Sequence, residues 1–113
     1  MRASDVQANL ATLSRELVEL LGTYQAANLA KARAEQAFKV AYASAYLGAE
    51  GSIEERKQRA TLATAGLSAA AAEADVVFDN VRAALRVLGQ RLDAGRTIAS
   101  TIRAEAIASG VGA

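Results

Sequence analysis

The chain has no cysteine, histidine, proline or tryptophan in its 113 residues, and only 4% of it is aromatic. Each absence removes a class of chemistry or structure. Without cysteine there is no disulfide framework and no thiolate nucleophile. Without histidine there is no imidazole base and no soft metal ligand, so a metal site would need oxygen ligands alone. Without proline nothing obliges a long helix to stop. A net charge of +1 excludes both a wholesale nucleic-acid binder and an acidic nucleic-acid mimic, leaving only local patches for either role. The apolar runs are short and alanine-rich, far below the roughly 20 residues of a membrane span. Met1-Arg2-Ala3-Ser4-Asp5 turns polar at once, with no apolar leader. No membrane contact and no cofactor are expected, and the expected location is the cytoplasm.

What is present forms helix. The chain is 52% hydrophobic, with alanine far above its usual share, and it carries no strand signal. Ser4 with Gln7 has capping-box spacing and predicts a first helix over about 4–47. Gly48 and Gly51 supply left-handed closing positions, and Ser52 with Glu55 makes a second capping box. A turn is therefore expected at 48–52 and a second helix over about 53–108. Gly66, Gly89 and Gly95 are candidate breaks, and a short third helix after Gly95 is the rival arrangement. The expected fold is a single all-α domain: an antiparallel hairpin of two long, coiled-coil-like helices.

Heptad steps of three and four trace the facing seams. On the first helix the seam reads Val6, Leu10, Leu13, Leu17, Leu20, Tyr24, Ala27, then Lys31 as an interruption, then Ala34, Phe38, Ala41 and Ala45. On the second it reads Ala60, Thr64, Leu67, Ala71, Ala74, Phe78, Val81, Leu85, Leu88, Leu92, Gly95, Ala99 and Ile102. With reversal near 49–52, paired positions should sum to about 101, since both helices rise about 1.5 Å per residue. Leu10, Leu13, Leu17 and Leu20 would then meet Leu92, Leu88, Leu85 and Val81, with alanine on alanine in the middle. Ile98, Ile102 and Ile107 would overhang. Two long helices leave much surface uncovered at this length, so self-association, a dimer first of all, is the expectation.

Three surfaces are candidates for contact. Arg82, Arg86, Arg91, Arg96 and Arg103 make the last quarter of the chain its most basic part, and Arg82, Arg96 and Arg103 share one heptad position. They suit phosphate contacts on DNA, but interhelical pairing with Glu16 and Glu19 is the commoner role for such flanking charges and the one expected first. The tip carries Arg56, Lys57 and Arg59 beside Tyr42 and Tyr46. It reads either as a docking surface or as a helix start whose acids Glu54 and Glu55 sit at the positive end of the dipole. Glu73, Asp75 and Asp79 are expected to be solvated helix surface. No nucleophile has a base beside it, so an enzyme is not expected.

The run Ala37-Phe38-Lys39-Val40-Ala41-Tyr42, the stretch Gly51-Ser52-Ile53-Glu54-Glu55-Arg56-Lys57, and the segments Leu92-Asp93-Ala94-Gly95-Arg96-Thr97 and Ser100-Thr101-Ile102-Arg103-Ala104-Glu105 resemble a group of small helical proteins of tailed bacteriophages, especially those of actinobacteria. The resemblance implies a phage origin and a helical hairpin, with a context near replication or recombination genes and no catalytic residues. The function expected is that of a non-enzymatic interaction protein, accessory to phage DNA metabolism or host takeover, whose partner is a host or phage protein. A structural component of the virion is the alternative. Tyr46-Leu47-Gly48 also resembles the turn of small secreted helical hairpins with a Trp-x-Gly motif, though the tryptophan is absent.

Overall fold

A computed structural model describes residues 2–110. Among them are three helices and no strand: α1 (Ala3–Gly48), α2 (Ile53–Ala63) and α3 (Ala65–Ala108). The fold is an all-α helical hairpin in which α1 and α3 pack against each other. The absence of any helix-sustaining pattern from Ser109 onward predicts a frayed end, of which 111–113 lie outside the described residues.

The turn forms where the punctuation is densest. Gly51 has φ +109, a value that favours glycine, while Gly48 closes α1 with no positive φ. Ser52 is the N-cap of α2, with φ −66 and ψ 165, and its Oγ accepts from the Glu55 N–H at 3.2 Å. Such a cap contributes about 1 kcal/mol. Arg56 Nε donates to the Gly51 carbonyl at 3.1 Å, tying the turn to the first turn of α2.

The second half of the chain departs from the expected single helix. It breaks at Thr64, and α3 then runs unbroken through Gly89 and Gly95. The short helix thus precedes the long one instead of following Gly95. A lone glycine in a helix costs only about 1 kcal/mol and does not end it. Thr64 does, with φ −112 and ψ 12. Its hydroxyl donates to the Ala60 carbonyl at 2.7 Å and its N–H reaches the same oxygen at 3.1 Å. The threonine is 3% exposed, so this back-bonding satisfies a buried polar group, and the direction of the helix changes through the non-helical backbone angles at that residue. α2 and α3 meet at a bend of 63°.

The chain forms two compact units. One comprises residues up to Thr23 together with those from Arg82 onward; the other is Tyr24–Val81. In the first, Leu13, Leu88 and Leu92 are buried, and Leu10, Leu17 and Leu20 pack against them. Val81, Leu85 and Ile102 are half-buried. Leu10 lies against the backbone of Gly95, where an added Cβ would stand 2.7 Å from Leu10 Cδ2.

In the second unit Tyr24 and Phe78 pair across the helices, their ring centroids 5.2 Å apart. Ala27, Ala60 and Phe78 are buried, and Phe38 is half-buried, stacked on Tyr42 at 6.1 Å one turn along α1. Lys31 reaches Asp75 at 3.0 Å.

The register is offset from the expected one by about one turn. Leu10 meets Gly95 and Lys31 meets Asp75, where a continuous second helix would bring residues near 91 and 70. The bend accounts for this. An eleven-residue helix is about 16 Å long, but tilted by 63° it advances only about 7 Å along α3. Later residues therefore lie closer to the turn. For the same reason Ile102 does not overhang: it lines a hollow with Ala3, Val6, Gln7 and Leu10. Leu67 is the seam position that fails. It is 41% exposed, because the seam restarts after the break and Ser68 lines the hollow with Phe38 in its place.

Candidate interaction surfaces

The sequence treats Lys31 as an interruption and Asp75 as solvated surface, yet together they form the main polar contact across the helices of the second unit. The ammonium lies 3.0 Å from the carboxylate, with the side chains 27% and 49% exposed. It also stands 4.7 Å from the centroid of the Phe78 ring, a cation–π contact. The hydrogen bond to Asp75 raises the Lys31 pKa above its ordinary value of 10.5, partial burial works against it, and the charges of Asp75, Glu35 and Asp79 add to the rise. A charged residue that finds a partner within an apolar seam favours one register over its neighbours. The interruption in the hydrophobic pattern was the available signal; its partner could not be found from a straight-helix count.

The basic edge is real as a set of exposed side chains, but its members differ. Arg96 makes an exposed ion pair with Asp93 at 3.7 Å. Arg103 borders the hollow containing Val6 and Leu10, and Arg82 and Arg86 are exposed. Arg96, Thr97, Ser100, Thr101 and Ala104 line one shallow polar surface on α3. Arg82 makes a contact within the chain, and the ion pair Arg96 makes is with Asp93 on its own helix.

At the tip the expected residues separate into different jobs. Arg56 is half-buried and bonded into the turn, so it serves local structure. Tyr42 is half-buried and lines the hollow where α1 passes Thr64, Ala65 and Ser68. Tyr46 is half-buried, whereas Lys57 and Arg59 are exposed. Lys57 lies beside Thr61 and Leu62 on the outer face of α2, and Leu47, Ile53 and Leu62 leave most of their surface uncovered.

The first unit also holds a groove that the sequence did not single out. It has a volume of about 560 Å³ and is floored by Leu20, Ala83, Ala84, Val87 and Leu88. Glu16 and Glu19 stand on its α1 rim and Arg91 on its α3 side. Among the described residues, no cluster of three or more acidic side chains is arranged to hold a metal ion. No single helix is long and apolar enough to cross a membrane, and α2 and α3 reach that composition only together, across their bend. No protein-family model, curated protein or solved structure matches the chain.

Proposed function

We propose that the chain is a non-enzymatic helical interaction protein that works as a homo-oligomer, with a dimer as its basic form. One observation carries this reading. Among the described residues only five large apolar side chains are buried, Val6, Leu13, Phe78, Leu88 and Leu92, while thirteen valines, leucines and isoleucines remain more than two-fifths exposed. Single exposed apolar residues are ordinary, but this excess over the core is characteristic of a surface that meets another chain. Sedimentation equilibrium should give twice the mass of one chain at micromolar concentration. A single-chain mass at every concentration would overturn self-assembly.

The setting is proposed from the sequence resemblance: a phage-encoded accessory to DNA replication or recombination, or to takeover of a host protein. The exposed Arg86, Arg96 and Arg103 suit phosphate oxygens, so DNA retention that falls steeply with added salt supports the DNA arm. A virion component is the second reading. It is favoured by the uncovered Leu47, Ile53 and Leu62 around the tip, which would serve lateral assembly, and mass spectrometry of purified particles tests it.

A further inference from the structure

We infer that the groove of the first unit is where a second copy of this chain docks, related by a two-fold axis running along the groove. The inference rests on the homo-oligomer reading and specifies its interface. Three features of the groove point to this occupant. Its floor is apolar and partly uncovered: Val87 is 47% exposed, and Ala83 and Ala84 leave room for close approach. Two antiparallel helices flanking such a floor form half of a four-helix bundle. The rims are opposite in charge, with Glu16 and Glu19 on α1 and Arg91 on α3, and the packing of Leu10 on Gly95 sets Arg91 near the height of Glu16 with Glu19 one turn further along. Both acids are exposed to solvent.

A two-fold axis parallel to the helices preserves height along them and exchanges the sides of the groove. It therefore lays α1 of the second copy over α3 of the first, antiparallel to it. Glu16 and Glu19 of each chain then face the partner's Arg91, twice per dimer, as an isologous interface requires. An axis across the helices would instead set like rims together. Val87, which is 47% exposed, is covered by the partner's Leu20, with the charges forming the polar border. The helices of the partner continue the heptad packing that a two-helix unit leaves half-finished.

The test uses two full-length variants, Arg91→Glu and the double variant Glu16→Arg with Glu19→Arg, followed by sedimentation alone and mixed. Circular dichroism checks that each keeps its helical content, and Arg91→Gln serves if reversal disturbs folding. Each reversal alone opposes like charges at both contacts and should weaken dimerisation at least tenfold. Their equimolar mixture restores attraction at both contacts and should give a 1:1 heterodimer of wild-type strength. If wild type is dimeric and the variants dimerise as it does, the interface lies elsewhere and the homo-oligomer reading stands. If both variants lose dimerisation but the mixture does not recover it, the two-fold arrangement is wrong. A wild type that stays monomeric removes the oligomer reading and this interface together.

Discussion

At the scale of single residues, Lys31 is the side chain whose environment was least expected. Its contacts with Asp75 and Phe78 replace the alanine packing that a straight count places there, and they are made in one register only. Because its pKa is raised in the folded chain, its contribution is complete below the ordinary lysine value of 10.5. The contribution fades as the pH climbs through the higher folded value. Lys31→Met should therefore keep the helical content, while the stability difference between wild type and variant closes above that pH. The same substitution removes the polar partner but leaves an apolar seam that tolerates sliding, so an amide NMR spectrum of the variant should show more peaks than residues. One sharp set of peaks would show that Lys31 does not fix the register.

At the scale of elements, the inward face of α1 was fully legible. Its buried and half-buried positions follow the heptad steps from Val6 through Tyr24 and Phe38 to Ala45, because a proline-free helix facing one partner must present that spacing. The turn was legible for a local reason: Gly51 and Ser52 each satisfy a backbone requirement of their own. The break at Thr64 was not, since Thr12, Thr23, Thr61, Thr97 and Thr101 bond back to the preceding turn just as Thr64 does while their helices continue, so no local signal sets Thr64 apart. Everything that depends on the break was misplaced with it: Leu67, Ile102 and the register. The glycines carry the complementary lesson. Nothing lies within 4 Å of an added Cβ at Gly89, whereas at Gly95 Leu10 stands at 2.7 Å. Gly89→Ala should raise stability by about 0.5–1 kcal/mol through helix propensity. Gly95→Leu should lower it by about 1–3 kcal/mol by forcing Leu10 away. Urea titrations of the two variants giving equal midpoints would contradict the close approach of α1 to α3 at that site.

At the scale of the whole molecule, the proposed dimer couples the stability of the helices to association. With five large side chains in the core and thirteen left open among the described residues, the chain buries little apolar surface against the entropy of ordering its long helices, and the proposed dimer would add to that burial. The candidate groove was illegible in the sequence because Glu16, Glu19 and Arg91 are ordinary helix-surface residues until the fold brings them to the same groove. The exposed arginines, by contrast, were legible as a group, since a heptad position is a property of one helix alone. The central claim is that this hairpin is completed by another copy of itself, and thermal unfolding of the wild-type chain followed by circular dichroism over a thousandfold range of concentration tests it most directly. A dimer that folds as it assembles unfolds in one transition whose midpoint rises by roughly 2–4 °C for each tenfold increase in concentration. A midpoint that stays the same across the range would contradict the account.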